Sequence, residues 1–140
     1  MFTSFLPLLQ IDEARLKALE NVQVVSVICE LTISLWILKI WVIKYETIVE
    51  DFRSFKLPDW MRNAVGITKG ILCLFLLSGI WINQFAIAGS VSIGILMIGA
   101  IAAHYYAEHT MKKTLEAVFV FVLCAVVAFL NWKYKFQAYF

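Results

Sequence analysis

The sequence predicts an all-α protein: a four-helix transmembrane bundle preceded by a short N-terminal interfacial helix. Three observations carry that prediction. Of the 140 residues, 62% are hydrophobic and the mean hydropathy is +0.83, well above the roughly half-apolar make-up of a soluble domain. Only 16% are charged, and they gather between apolar runs. There are four such runs, about 22–43, 64–82, 85–106 and 115–132, each able to cross ~30 Å of hydrocarbon at ~1.5 Å per residue. The length allows one domain.

Residues 1–21 are the expected interfacial segment. No Lys/Arg region precedes the apolar stretch Phe2–Leu9, so a signal peptide is not expected. "IDEARLKALEN" reads as a short helix with acids in its first turn, on a membrane face designated side A. After the first span, "KYETIVEDFRSFKLPDWMR" mixes both charge signs with Phe52, Phe55 and Trp60. That pattern predicts an amphipathic segment in the opposite interface, side B. Pro58 should end it, and Asp59 should cap the second span. The next connection, about Asn83–Gln84, is very short and on side A. "AEHTMKK" returns on side B, with Thr110 as the expected N-cap of the fourth span. Such short connections make successive helices antiparallel neighbours over residues 22–132. Residues 133–140 form a tail in which Trp132, Tyr134, Phe136, Tyr139 and Phe140 alternate with polar residues, an aromatic belt with lysine anchors. Side A carries Arg15, Lys17, Lys133 and Lys135 outside the spans. Side B carries Lys44, Arg53, Lys56, Arg62, Lys112 and Lys113, which leans side B towards the cytoplasm.

The formal net charge of +2 gives no electrostatic basis for a nucleic-acid partner. Cys29, Cys73 and Cys124 make no CxxC pair, so neither redox nor metal-ligand spacing is expected. No Walker loop, nucleophile elbow or dinucleotide glycine pattern is present.

Chemistry must therefore come from ionisable residues inside the spans, which mark a site by default. Lys39, Lys69 and His104 fall in one layer, roughly 3–8 Å below the side-B edge of the hydrocarbon. Glu108, one turn beyond His104, is its expected partner. Snorkelling to the interface competes with a binding role for Lys39 and His104. Lys69 lies deeper, beside the GxxxG pair Gly66 and Gly70, which admits a close neighbour. Glu30 is some 12 Å from side A and reaches neither surface. With Gln23, Ser26 and Ser34 it forms one polar stripe, which must face helices or water. A water link from Glu30 to Lys69 is expected. The third span holds Gly89, Gly94 and Gly99 among other small residues, expected at helix contacts and able to line a cleft.

The chain resembles the DoxX-like family of small four-helix membrane proteins over about residues 24–130. "LWILKI" places Lys39 where the family often has a lysine. "DFRSFKLPDWMRNAVGITKGILCLFLLSGI" is similar to the family's amphipathic segment, Leu-Pro and glycine-rich second span. "ILMIGAIAAHY" is similar to its third-span ending. The family usually has a glutamate where this chain has Lys69. The resemblance implies a bundle distantly similar to quinone-linked disulfide-forming enzymes, an association with quinone chemistry, and a bacterial cytoplasmic membrane. Three functions follow as expectations. One is an accessory subunit of a quinone-linked redox system, with quinone as ligand of Lys39, Lys69 and His104. The second is a non-enzymatic scaffold or assembly factor. The third is a small-solute or proton carrier using Glu30. The expected partners are the lipid bilayer and either another membrane protein or a second copy of the chain.

Overall fold

The computed structural model describes the backbone of residues 6–139 and the side chains of residues 13, 14 and 17–133. Among them are five helices and no strand: α1 (Leu6–Ile43), α2 (Tyr45–Ser54), α3 (Asp59–Ser78), α4 (Asn83–Tyr106) and α5 (Met111–Tyr139). Four of these, over Lys17–Ile43, Asp59–Ser78, Asn83–Tyr106 and Met111–Lys133, are long and apolar enough to cross a membrane.

The stretch 11–21 is helical, but it is not a separate element. No glycine or proline stands between Pro7 and Pro58, so nothing breaks the helix before it enters the first span. Likewise α5 continues to Tyr139 through the expected tail. The side chains of Arg15, Tyr134, Lys135, Phe136, Tyr139 and Phe140 lie outside the described residues.

At Lys44 the chain bends from α1 into α2 while its N–H still donates to Ile40 O. α2 is the amphipathic segment and buries Ile48. Its end is a Schellman turn: Lys56 N–H donates to Arg53 O and Leu57 N–H to Phe52 O. Lys56 takes the left-handed conformation, φ 56°, that glycine usually fills. Pro58, at ψ 154°, is the N-cap of α3. Asp59 is thus not the cap but a first-turn residue, where it accepts from Arg62 at 3.0 Å and meets the positive helix end.

Helices α1, α3, α4 and α5 form a ring in that order, with each helix packed on the next and α5 closing on α1. The core runs through Ile33, Ile37, Leu76, Ile93, Met97, Val120, Cys124 and Val127. The outer face is apolar as well, with Leu35, Ile67, Leu74, Ile95 and Phe129 all exposed. A soluble bundle would cover such a surface, whereas a bilayer solvates it. The chain is an integral membrane protein.

Lipid is as apolar as this core, so burial alone does not hold the helices together; close packing and polar links do. A Cβ at Gly89 would stand 2.9 Å from the backbone nitrogen of Leu76, so α3 and α4 touch main chain to main chain. A Cβ at Gly66 would stand 2.5 Å from the Trp41 ring, which seats α1 against α3. Gly94 makes ordinary contact with Phe121 and Cys124. Gly70 and Gly99 have nothing within 4 Å of such a Cβ, so they are not contact points; Gly70 looks outward and Gly99 lines a cavity.

Candidate functional site

That cavity opens at the side-B end, where α2 lies across the ring of helices. It holds about 410 Å³, within the range of small-molecule sites. Its walls are mainly apolar: Ile37, Ile40 and Trp41 of α1, Phe52 and Phe55 of α2, Val65 of α3, Ala100 and Ala103 of α4, and Val120 of α5. The small residues of α4 leave the space that larger side chains would fill.

Six charged or titratable side chains line it: Lys44, Asp51, Lys69, His104, Lys113 and Glu116. Four of them pair off. Lys44 Nζ meets Glu116 Oε1 at 2.9 Å, tying the α1–α2 bend to the first turns of α5. Lys113 Nζ meets Asp51 Oδ1 at 2.6 Å, tying α5 to α2. Lys69 has no hydrogen bond or ion pair among the described residues. Its ammonium lies 5.8 Å from the centre of the Trp41 ring, within cation–π reach. Trp41 thus packs on Gly66 and stands beside Lys69, one turn further along α3.

His104 does not pair with Glu108. α4 ends at Tyr106, and Glu108 turns left-handed at φ 52°, so the helical i, i+4 geometry is lost. The turn is again of Schellman type, with Glu108 N–H donating to Tyr105 O and His109 N–H to His104 O. It folds His109 back, and the two Nδ1 atoms stand 3.0 Å apart. Phe55 packs against both rings, at 5.5 and 5.2 Å between centres. Asp51 Oδ1 lies 3.6 Å from His109 Nδ1.

The hydrogen bonds settle one tautomer. Ser54 Oγ donates its proton to Asp51 O at 2.7 Å. At 2.8 Å from His109 Nε2 it must therefore accept, and Nε2 carries the proton. A neutral His109 then presents a bare Nδ1 lone pair towards His104 and Asp51.

The other residues singled out in the sequence lie elsewhere. Lys39 is exposed on the outer face of α1, 5.2 Å from the centre of the Trp36 ring, and does not line the cavity. Glu30 is 1% exposed and also absent from the cavity wall. Its stripe faces inward at Ser26, Glu30 and Ser34, while Gln23 is exposed. Ser26 Oγ donates to Glu30 Oε1 at 2.8 Å. Asn131 Nδ2 of α5 donates to Ser26 Oγ at 2.6 Å and to Val127 O at 2.9 Å. Glu30 Oε2 has no partner. The direct contacts of Glu30 thus belong to this network between α1 and α5, and none reaches Lys69.

Asp51, His109 and Asn131 were not singled out in the sequence. Asn131 had a signal: it is the one amide in the apolar run 115–132, four residues after Val127. For His109 the five-residue step from His104 carries none, unless a left-handed turn at Glu108 is foreseen.

Comparison with known proteins gives two matches. The profile of the DoxX-like family matches residues 23–128. The uncharacterised protein YdgD of Bacillus subtilis (strain 168) is 27% identical over 108 residues, covering 74% of this chain and 91% of that protein. No solved structure matches the chain.

Proposed function

The chain belongs to the DoxX-like family, and we propose that it is an accessory, ligand-binding subunit of a quinone-linked membrane redox system. The observation that carries this reading is Lys69: an ammonium with no hydrogen-bond or ion-pair partner among the described residues, on the wall of an apolar cavity. A quinone matches that combination, with an apolar ring to fill the space and carbonyl oxygens to accept from Lys69. With both imidazoles neutral, the bare Nδ1 of His109 accepts from His104 Nδ1–H, leaving His104 Nε2 as an acceptor for a quinol hydroxyl. Trp41, Phe52 and Phe55 supply aromatic faces for the ring.

In this reading the protein resides in a bacterial cytoplasmic membrane with side B inward. It supplies a binding site, and a partner membrane protein supplies the electrons. The carrier reading is less favoured because Glu30 is held by Ser26 and Asn131 and does not line the side-B cavity.

The test is the quinone content of protein purified in mild detergent from its native membrane. The expected result is close to one quinone per chain, lost on Lys69→Met. Quinone-free protein that co-purifies with a stable membrane partner would favour the scaffold reading instead.

A further inference from the structure

We propose that Asp51, His104 and His109 form a binding site for a divalent transition-metal ion at the side-B mouth of the cavity. The inference does not rest on the quinone reading, but the two share His104: a metal on Nδ1 leaves the proton on Nε2, so a metal-loaded site offers a quinone a donor there in place of the acceptor. The three donors come from α2, the last turn of α4 and the α4–α5 turn, and one ligand atom from each lies within 4.8 Å of the others. Two nitrogens bound to one ion at ~2.0–2.1 Å stand roughly 2.9–3.4 Å apart for angles between octahedral and tetrahedral. The two Nδ1 atoms already stand at 3.0 Å. A small side-chain shift at Asp51, now 3.6 Å from His109 Nδ1, completes the set.

Three further features point to a cation. Ser54 Oγ accepts a hydrogen bond from His109 Nε2–H, which is how an outer hydrogen bond fixes the tautomer of a metal-binding imidazole. The C-terminal ends of α2 and α4 both converge here, and their partial negative charge favours a positive ion. Finally, two left-handed non-glycine residues, Lys56 and Glu108, hold Phe55 and His109 in place. Such a conformation is costly in ordinary residues and gathers at functional sites. Two imidazoles with one carboxylate suit zinc or iron(II) better than calcium or magnesium, and leave positions open for water or a ligand. Lys113 opposes the ion, because its ammonium occupies Asp51 Oδ1 at 2.6 Å.

The test uses full-length protein in mild detergent, stripped with a chelator and titrated with Co2+ at neutral pH. One equivalent is expected to bind, with ligand-field bands in the visible and a raised unfolding temperature. Asp51→Asn and His109→Ala should each weaken binding about tenfold or more. Lys113→Met should tighten it, since a competing positive charge is gone. A hydrogen-bonded cluster without a metal role predicts neither change. Absence of saturable Co2+ binding, or an affinity that none of the three substitutions moves, overturns the assignment. Should His109→Ala fail to fold, the opposed shifts of Asp51→Asn and Lys113→Met decide it.

Discussion

The two ends of this bundle handle polar groups in opposite ways. Towards side A the helices close on each other. Gly89 meets the α3 backbone, Gly79 meets Ala86, and Glu30 is bound to Ser26 and Asn131, away from the side-B cavity. Towards side B they open. Gly99 has nothing within 4 Å of an added Cβ, and Lys69 stands unpaired beside about 410 Å³ of space. An ionisable residue within a span is therefore not one kind of feature. Held through one oxygen in a side-chain network, as Glu30 is, it helps to tie helix to helix. Left without one beside a cavity, it is available to something else.

Substitutions should break the two ends differently. The largest effect is expected from Gly89→Leu, which drives a side chain into the Leu76 backbone; overpacking of that kind costs about 3 kcal/mol. Thermal unfolding in detergent would show it. At the open end, Lys69→Met should reduce quinone affinity roughly 10- to 100-fold, the loss of a hydrogen bond from a charged donor, with the unfolding midpoint nearly unchanged. Asn131→Leu removes the donor shared by Ser26 and Val127 O, and should destabilise by about 1–2 kcal/mol without altering quinone binding. The smallest expected effect is a gain. Glu108→Gly relieves the left-handed strain at φ 52° and should stabilise by about 0.5 kcal/mol, after glycine's extra unfolded-state entropy is deducted.

What was legible in the sequence follows the same division. The four spans and the amphipathic α2 are local consequences of run length and period, and they stand in the structure; α2 ends at Ser54 in a left-handed turn at Lys56, and Pro58 instead opens α3 as its N-cap. The N-terminal helix is continuous with the first span, because polar residues alone do not end a helix where no glycine or proline breaks it. Residue counting gives Lys69 and His104 one level, and the two line one cavity in the structure. Facing was harder. Lys39 shares that depth, but it is two residues from the buried Ile37, some 200° around the helix, and so points outward. Pairings across long separations, such as Asp51 with Lys113 or Ser26 with Asn131, leave no trace in spacing.

The central claim is that the side-B cavity receives a quinone. Trp41 lines that cavity beside Lys69, so a bound ring should quench its fluorescence. The most direct measurement is therefore a titration of the detergent-purified protein with a short-chain quinone, in wild type and in Gly99→Leu. A Cβ at residue 99 meets nothing within 4 Å, so Gly99→Leu is expected to enter the cavity and take up part of its volume. The account predicts saturable quenching in wild type and its loss in Gly99→Leu at unchanged stability. Quenching that is absent, or that survives Gly99→Leu undiminished, would contradict it.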